Sequence, residues 1–359
     1  MRVLIAGGGT GGHLFPAVAL AEVFAVTDPE GSILFAGTDN PLEVSILSQK
    51  GFDHVSISAE GLKGQGLWRQ AHALLTLPIG FWQAVRTIWR FKPDMTIGVG
   101  GYASGPVALA AGLMGKKMVI HEQNFLPGFT NKVLGRFAHR IFVSFPDDRG
   151  MFTSSRTVLT GNPVRQDVLE AASSESREDG FTVLVMGGSQ GAHTINCAVV
   201  EALKHLDTPS AMGFIHQTGT KDVPWVTRAY KDHGIRAKVL PFIDDMAGAY
   251  RASDLVVCRA GASTVAELAA LGKPALFIPF PYAANNHQEL NARYVANRGG
   301  GEVMLEKDLN GESLARKIGR YESHREALQD MSVQASTLGR PDAAEAIVDE
   351  CTRLVSGGD

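Results

Sequence analysis

Short apolar runs alternate with helical patterns along the whole chain, and glycine-rich turns follow several of the runs. In the first half these runs predict strands at residues 3–6, 32–36, 94–99, 117–120, 140–144 and 158–160. In the second half they predict strands at residues 183–186, 213–217, 237–242, 255–258 and 275–279. Buried strands that alternate with helices are typical of βαβ units, so the pattern predicts an α/β fold with parallel sheets.

The opening stretch combines three features of an anion site. The run at residues 3–6 leads into Gly-Gly-Gly-Thr-Gly-Gly-His at residues 7–13, and residues 14–21 continue as a helix. Glycines let a ligand approach the backbone, and the N–H groups of a helix start favour negative charge. Gly7, Gly9 and Gly12 also satisfy the G-x-G-x-x-G spacing, which many phosphate-binding folds share.

Residues 183–193 repeat the layout of residues 3–13 at an offset of 183 − 3 = 180, which is half of the 359-residue chain. This repeat predicts two Rossmann-like domains, with two half-sites facing a cleft. We expect a first domain at residues 1–165 and a linker at 166–180, which ends in the polar stretch 171–180. A second domain is expected at 181–340, and a C-terminal helix within 341–359 could return to the first domain.

Composition narrows the range of functions. The chain is 45% hydrophobic and 20% charged, with a net charge of 34 − 37 = −3, so bulk nucleic-acid binding is not expected. Cys197, Cys258 and Cys351 have neither zinc-site spacing nor the pattern of a disulfide framework. The first apolar run ends in glycines, and no stretch reaches the roughly 18–20 apolar residues of a membrane span. We therefore expect a soluble, cytoplasmic protein.

One segment, residues 68–92, mixes apolar and basic side chains and leaves two interpretations open. It could be a core-facing amphipathic helix interrupted at residues 78–80, or a partly exposed patch that touches an anionic membrane. Three of the chain's four tryptophans fall here, which favours the second interpretation. The patch would consist of Leu75, Ile79, Phe81, Trp82 and Trp89.

Polar residues follow several predicted strands of the first half. Tyr102 lies in a third glycine-rich loop, and the sequence His-Glu-Gln-Asn at residues 121–124 ends another strand. In open α/β sheets, ligands bind outside the carboxyl ends of the strands. A dinucleotide-binding domain would also place an acidic residue at the end of its second strand, whereas Asp39 comes late, after a glycine. This weakens the interpretation as an NAD enzyme.

Two strand-to-helix stretches stand out in the second half. Residues 261–264 are predicted to start a helix whose N–H groups could hold a diphosphate, and residues 189–191 are predicted to do the same. Glu267 is either an acid favoured by the helix dipole or an acceptor for two ribose hydroxyls. Residues 285–288 offer neutral side chains that suit sugar hydroxyls, although a helix cap would explain one or two of them.

His13 is the best ionisable group in a loop, either as a structural histidine or as a general base near neutral pH. No Asp-x-Asp is present to hold a metal on a diphosphate. The adjacent pairs Asp147-Asp148 and Asp244-Asp245 are interpreted as turn and cap residues. Neither a Walker loop nor a G-x-S-x-G elbow occurs.

Taken together, residues 7–13, 121–124, 161–165, 187–192 and 259–267 resemble the MurG family of bacterial glycosyltransferases, nearly over the whole chain and in order. The resemblance implies a GT-B fold with UDP-N-acetylglucosamine as donor. The implied acceptor is the lipid-linked muramoyl-pentapeptide Lipid I, converted to Lipid II with inversion at the anomeric carbon. It further implies no essential metal and a peripheral location on the cytoplasmic face of the bacterial inner membrane.

The same resemblance implies roles for individual residues. His13 would be the general base, with Glu122 in reserve. The acceptor and the cleft would involve Gly9, Thr10, Gly12 and Tyr102. The donor would involve Thr10, Gly11, Gly12, Asn124, Arg165, Ser189, Gln190, Ile243, Ala262, Ser263, Thr264, Glu267, His287 and Gln288. Family members can carry two glutamines where this chain has His287 and Gln288.

Other functions stay open at this point. The nearest alternative is a UDP-N-acetylglucosamine 2-epimerase on a similar fold, which needs no lipid acceptor. A nicotinamide-dependent reductase is a second alternative. A scaffold role for cell-wall or division proteins could coexist with catalysis.

Overall fold

A computed structural model describes residues 1–9, 11–59, 67–170, 180–206 and 212–357 of the chain, without the side chains of residues 67–77. The chain divides into two compact units. The first contains Met1–Arg165 together with Arg340–Asp359, and the second contains Gln166–Gly339.

The first unit is built on a seven-stranded parallel sheet in the order β3-β2-β1-β4-β5-β6-β7. Its strands are β1 (Arg2–Ala6), β2 (Ser32–Gly37), β3 (Asp53–Ser56), β4 (Met95–Gly98), β5 (Met118–Glu122), β6 (Arg140–Val143) and β7 (Thr157–Leu159). Its helices are α1 (Gly11–Thr27), α2 (Pro41–Gln49), α3 (Leu67–Phe91), α4 (Ser104–Leu113) and α5 (Phe129–Leu134), with a 3-10 turn at Ser154–Arg156. The central strands β4 and β5 are buried along their whole length, because helices cover both faces of a parallel sheet.

The second unit has a six-stranded parallel sheet in the order β10-β9-β8-β11-β12-β13. Its strands are β8 (Phe181–Met186), β9 (Met212–Gln217), β10 (Arg236–Leu240), β11 (Leu255–Cys258), β12 (Ala275–Phe277) and β13 (Glu302–Val303). Its helices are α6 (Gln166–Glu170), α7 (His193–Ala202), α8 (Val223–Asp232), α9 (Met246–Ala252), α10 (Ala262–Ala270), α11 (His287–Ala296), α12 (Gly311–Ser323) and α13 (Arg325–Leu338). Short 3-10 turns lie at Leu203–His205, Ala284–Asn286 and Glu306–Asp308.

The predicted fold class is confirmed: both units are Rossmann-like parallel sheets with helices around them. Strands β3 and β13 were not predicted from the sequence. Both lie at a sheet edge and are short, and their side chains are only half-buried or exposed. An edge strand needs no continuous apolar run, so the hydrophobic pattern carries no signal for it.

The chain returns to the first unit after Gly339. Its last helix, α14 (Ala343–Ser356), shares a core with α1, to which it contributes Ile347, Val348 and Cys351. The ammonium of Lys117 donates to the Leu354 and Val355 carbonyls, which a helix end leaves without intrahelical partners. At the other boundary, residues 166–170 were assigned to the linker, but they form α6 in the second unit. Residues 171–179 lie outside the described residues.

Helix α3 corrects the analysis of residues 68–92. The helix continues through Pro78, so the predicted interruption at residues 78–80 is wrong, and it ends before Lys92, whose φ is +51°. Ala84 and Ile88 are fully buried on one face. The opposite face exposes Ile79, Trp82 and Trp89. The interpretation as a core-facing helix therefore applies to the first face, and the interpretation as an exposed patch applies to the second.

Phe81, by contrast, is partly buried and packs against the core, so its assignment to the exposed patch is wrong. The Leu75 side chain lies outside the described residues. No helix in the described ranges is long and apolar enough to cross a membrane.

Candidate functional site

Two glycine loops of the first unit touch backbone to backbone at the carboxyl ends of β1 and β4. A Cβ added to Gly7 would lie 2.4 Å from the Gly100 carbonyl oxygen, and one added to Gly101 would lie 2.4 Å from the Gly8 oxygen. Any side chain at either position would therefore clash with backbone. The two loops form one surface at the edge of the sheet where α/β folds bind ligands.

His13 lies on this surface, as the third residue of α1. A Cβ on Gly100 would lie 2.9 Å from both Cε1 and Nδ1 of His13, so the imidazole rests against the bare backbone of Gly100. Gly100 itself has a φ of +88°. The half-buried imidazole is thus held at a helix start between the two loops. Thr10, which precedes this helix start, lies outside the described residues.

A buried histidine supports this surface from behind. The Gln123 amide donates to His121 Nδ1 at 3.2 Å and to the Val99 carbonyl at 2.5 Å, next to Gly100. This assigns the His121 proton to Nε2, which lies 3.1 Å from the Gly161 carbonyl. Burial lowers the pKa of His121 to about 4, and the nearby His13 also lowers it. His121 is therefore a neutral positioning residue.

Glu122 is a structural anchor. The Asn124 N–H donates to its Oε1 at 3.0 Å, and the Gly128 N–H and Asn131 Nδ2 donate to its Oε2 at 3.0 Å and 2.9 Å. The buried carboxylate thus holds the loop that carries the half-buried Asn124. Both oxygens of the Glu122 carboxylate already accept these bonds, so His13 is the better candidate for the general base. Tyr102 is largely exposed on the neighbouring loop.

Glu43 on α2 is a second buried carboxylate, which was not predicted from the sequence. Its Oε2 accepts from the Gly9 N–H at 2.9 Å and from Thr38 Oγ1 at 3.0 Å. Burial raises the pKa of Glu43, but the nearby His54 imidazole and the hydrogen bonds from Gly9 and Thr38 outweigh it and lower the pKa overall. A Cβ on Gly37 would lie only 1.7 Å from Glu43 Oε1. Glu43 thus fills the end of β2, where a dinucleotide ribose would bind, and this weakens the reductase alternative further.

Arg165 brings a positive charge to the start of α1. Its guanidinium carbon lies 4.5 Å from the centre of the Phe15 ring. A Cβ on Gly11 would in turn lie 3.1 Å from Phe15 Cε2, so Phe15 separates Arg165 from Gly11 by one ring. Gly12 is exposed next to them. A cation beside a helix start strengthens an anion site.

The repeated loop of the second unit differs in detail. Helix α7 begins at His193, so the predicted helix start at residues 189–191 is wrong. Ser189 and Gln190 lie exposed in a turn that the Gly191 N–H closes onto the Gly188 carbonyl at 2.9 Å. His193, which matches His13 in the repeat, has Nδ1 2.8 Å from Asp222 Oδ2.

Helix α10 has the predicted start at its amino end. Gly261 is the N-cap residue of this helix and contributes no side-chain hydrogen bond. The Ala262 side chain is buried, and Ser263 and Thr264 are half-buried in the first turn. Glu267 is buried, and the Tyr250 hydroxyl donates to its Oε2 at 2.7 Å. An acid that served only the helix dipole would lie in the solvated first turn of the helix. Glu267 is instead buried, so the ribose interpretation fits it better.

The loop before α11 is held by its own side chains. Asn285 and Asn286 both adopt left-handed conformations, and Asn286 Nδ2 donates to Glu289 Oε2 at 2.7 Å. The Phe280 N–H donates to Gln288 Oε1 at 2.9 Å, and His287 Nδ1 lies 2.8 Å from the Ala284 carbonyl. Capping thus accounts for part of the cluster, and Asn285 stays exposed.

Arg259 positions the segment that leads into the loop before α11, a role that was not predicted from the sequence. Its guanidinium donates to the Ile278 and Pro279 carbonyls and pairs with Glu306 at 2.5 Å. These contacts join Arg259, which lies just before the start of α10, to residues 278–279 and to Glu306. Ile243 has a buried side chain, so it can offer a ligand only its backbone.

The two acidic pairs fit the turn and cap interpretation. Asp147 accepts from the backbone N–H groups of Met151 and Phe152, and Asp245 caps α9 by accepting from the Gly248 N–H. Among the residues described, no group of three or more His, Cys, Asp or Glu side chains could hold a metal ion.

Comparisons with known proteins match both units. Residues 182–347 match the glycosyltransferase family 28 C-terminal domain, and residues 3–143 match the family 28 N-terminal domain. A relative from Syntrophus aciditrophicus is 46% identical over 99% of both chains. It is named UDP-N-acetylglucosamine--N-acetylmuramyl-(pentapeptide) pyrophosphoryl-undecaprenol N-acetylglucosamine transferase.

Solved structures agree with this match. Acinetobacter baumannii MurG superposes with a TM-score of 0.79 at 31% identity, covering 98% of this chain and 99% of that one. The UDP-GlcNAc 2-epimerase from Neisseria meningitidis gives a TM-score of 0.69 over 98% of this chain and 100% of its own. At 13% identity the epimerase shows a shared fold alone.

The buried His121 makes the stability of the first unit depend on pH. Its pKa is about 4 in the folded protein and 6.5 for an ordinary histidine, so the unfolded chain binds the proton first as pH falls below 6.5. The protein should therefore lose about 2 kcal/mol of stability from this residue between pH 7.5 and pH 5. His121→Gln should lose less over the same interval in urea unfolding. The exposed His233→Gln is the control, and equal losses in all three proteins would contradict the assignment.

Proposed function

The chain belongs to glycosyltransferase family 28 and, within it, to the MurG family, and we propose that it forms Lipid II by adding N-acetylglucosamine to Lipid I. UDP-N-acetylglucosamine is the donor, and the 4-hydroxyl of the N-acetylmuramic acid is the acceptor. The observation that carries the proposal is 46% identity, over 99% of the chain, to a relative named for this transfer. The geometry of each unit supports it.

His13 acts as the general base of a single displacement. A neutral imidazole nitrogen takes the proton of the 4-hydroxyl while the oxygen forms a bond to the anomeric carbon. The bond from that carbon to the UDP oxygen breaks on the opposite face, so the configuration inverts. The contact with Gly100 fixes the imidazole, and the Gln123 amide holds the Val99 carbonyl next to that glycine. A fixed base needs no reorganisation during the reaction.

The second unit binds the UDP. The start of α10 at residues 262–264 directs N–H groups at the diphosphate, with Ser189 and Gln190 as further donors. Arg165, which belongs to the first unit, is the further donor that the family resemblance implies. The Tyr250 hydroxyl orients Glu267 to accept from the ribose hydroxyls, and the Ile243 backbone meets the uracil. These donors stabilise the leaving charge, and we propose that no metal is essential.

The sugar contacts come from loops that the structure shows to be anchored. Asn124 extends from the loop that Glu122 holds, and His287 and Gln288 lie at the start of α11. Because Gln288 Oε1 accepts from Phe280, its amide NH₂ is the group that faces a sugar hydroxyl. On the family resemblance, the acceptor side would involve Gly9, Thr10, Gly12 and Tyr102.

The exposed face of α3 supports a peripheral location on the cytoplasmic face of the inner membrane. Trp82 and Trp89 are 70% and 69% exposed, and Arg86 and Arg90 are exposed beside them. Tryptophan and arginine side chains of this kind suit the interface of an anionic bilayer. A lipid-linked acceptor requires an enzyme that works at such a surface.

A transfer assay tests the function directly. Radiolabelled N-acetylglucosamine should pass from its UDP donor to a short-chain Lipid I analogue, and a chelator should leave the rate unchanged. Labelled disaccharide-lipid is the expected product. Formation of the 2-epimer from the donor alone, with no acceptor product, would contradict the transferase and favour the epimerase. Loss of transfer on chelation would contradict only the metal-free mechanism.

Replacing His13 should damage chemistry far more than binding. His13→Ala should lower kcat by about 10²- to 10⁴-fold, because a general base contributes that much, while the Kd of UDP stays the same. His193→Ala is the matched control, since it removes the equivalent imidazole of the repeat, which pairs with Asp222. Steady-state kinetics and UDP titration would measure both. Equal losses of kcat and UDP affinity in His13→Ala would contradict the assignment.

A further inference from the structure

We propose that Cys197, His193 and Asp222 form a thiol-exchange site in the second unit, where the disulfide of a small thiol converts Cys197 into a mixed disulfide. Cys197 and His193 both belong to α7, and Asp222 is the N-cap residue of α8. The transfer mechanism proposed above uses none of these side chains, so this site does not depend on it.

His193 lies between the thiol and the carboxylate. Its Nδ1 is 2.8 Å from Asp222 Oδ2, and its Nε2 is 3.5 Å from Cys197 Sγ. Residues four apart share one face of a helix, which brings the ring and the thiol together. Because a carboxylate only accepts hydrogen bonds, it assigns the imidazole proton to Nδ1 and leaves the lone pair of Nε2 facing the sulfur. A nucleophile next to an oriented base is the arrangement that activates a thiol.

A hydrogen-bond network holds the carboxylate in place. Burial raises the pKa of Asp222, but hydrogen bonds from neighbouring side chains outweigh it and lower the pKa, so the group is ionised at neutral pH. These side chains are Trp225, Asn196 and His193. Asn196 Nδ2 donates to Asp222 Oδ2 at 2.7 Å, and Asn196 Oδ1 lies 3.0 Å from Nε2 of the buried His216. The carboxylate, and through it the imidazole, is therefore positioned before a reagent arrives.

Exposure makes Cys197 the thiol that a reagent can reach. Cys258 and Cys351 are fully buried, whereas Cys197 is exposed. Burial raises the pKa of Cys197, and the charge of Asp222 raises it further, so this thiol keeps its proton at neutral pH. Since the thiolate is the nucleophile, Cys197 reacts only when a neighbouring base takes that proton, and His193 Nε2 is the base in contact with it.

The exchange balances without any further reactant. The proton of Cys197 passes to His193 Nε2 while the sulfur attacks one sulfur of the small disulfide. A new S–S bond forms to Cys197, the S–S bond of the reagent breaks, and the imidazolium returns the proton to the leaving thiolate. Cys197 is oxidised and the departing thiol is reduced. Asp222 stabilises the imidazolium in the interval.

The place of Cys197 in the helix decides between disulfide exchange and acyl transfer. An acyl-transfer nucleophile needs N–H donors beside it for the oxyanion that forms. Cys197 is the fifth residue of α7, where its own N–H bonds to the His193 carbonyl inside the helix. Thiol–disulfide exchange forms no oxyanion, because the charge moves from sulfur to sulfur. The site therefore suits a small disulfide better than an ester.

Mass spectrometry of the full chain with oxidised glutathione tests the site. The wild type should gain a single glutathione, which peptide analysis should place on Cys197, and dithiothreitol should remove it. Cys197→Ser should gain none. An adduct mainly on Cys258 or Cys351, or one that dithiothreitol leaves in place, would overturn the assignment.

The rate of adduct formation tests the role of His193. His193→Gln should react about 10²-fold more slowly near neutral pH, because a positioned base contributes at least that much. Cys197→Ser/Thr194→Cys is the matched control. It keeps one exposed thiol on α7 but places it directly after His193, where side chains do not face each other, so it should also react slowly. Equal rates in the wild type and these two variants would overturn the site.

The pH profile separates a base from a merely structural neighbour. Between about pH 7 and about pH 8.5 the rate of His193→Gln should rise about tenfold per pH unit, because only the free thiolate reacts. The wild-type rate should change little, since the transfer of the proton to His193 does not require its loss to solvent. A wild-type rate that rises as steeply as that of His193→Gln would contradict the proposal.

An ester substrate tests the choice of reaction. The wild type should show no steady turnover of p-nitrophenyl acetate, as expected for a thiol without oxyanion donors. Steady turnover that is lost in Cys197→Ser would overturn the disulfide assignment in favour of acyl transfer.

Discussion

The backbone contact between the loops after β1 and β4 is the constraint on which the first unit depends. At Gly7 and Gly101 a side chain would overlap with the backbone of the facing loop, and at Gly100 it would lie 2.9 Å from the His13 ring. The imidazole occupies space that only a glycine leaves open. Glu43 and the pair of His121 and Gln123 then hold this arrangement from two sides. The chemistry proposed for His13 follows from this packing.

The second unit uses the same kind of contact with a different neighbour. A Cβ on Gly191 would lie 2.0 Å from the Thr218 carbonyl oxygen, which follows β9, whereas the first loop packs against the residues that follow β4. In sheet order β9 corresponds to β2 and not to β4. The repeated sequence therefore gives two different loops. The first presents a histidine at a helix start, and the second is an exposed turn in a unit whose helix start lies at α10.

Much of this could be predicted from the sequence, because strands with a glycine turn and a helix behind them carry a local signal. The repeat at an offset of 180 residues predicted two α/β domains, and the polar ends of the strands pointed to His13 and Asn124. Glu43 and Arg259 could not be found in this way. Glu43 acts on Gly9 across 34 residues of sequence, and Arg259 acts on two distant segments, at residues 278–279 and at Glu306. The start of α7 was misplaced: Gly191 lies in a turn packed against Thr218, a contact far along the chain that the local pattern does not show.

Turnover of Gly100→Ala tests the central claim most directly, namely that bare backbone at Gly100 positions the His13 base. The new Cβ should displace the imidazole and lower kcat by on the order of 10²-fold, as misplacement by about 1 Å can, while the Kd of UDP stays the same. Gly115→Ala is the control. Gly115 has a φ of +64°, so an alanine there also strains the backbone, but the space around it is open and the new Cβ would touch no neighbouring group. A Gly100→Ala enzyme that is folded and turns over like Gly115→Ala would contradict the account.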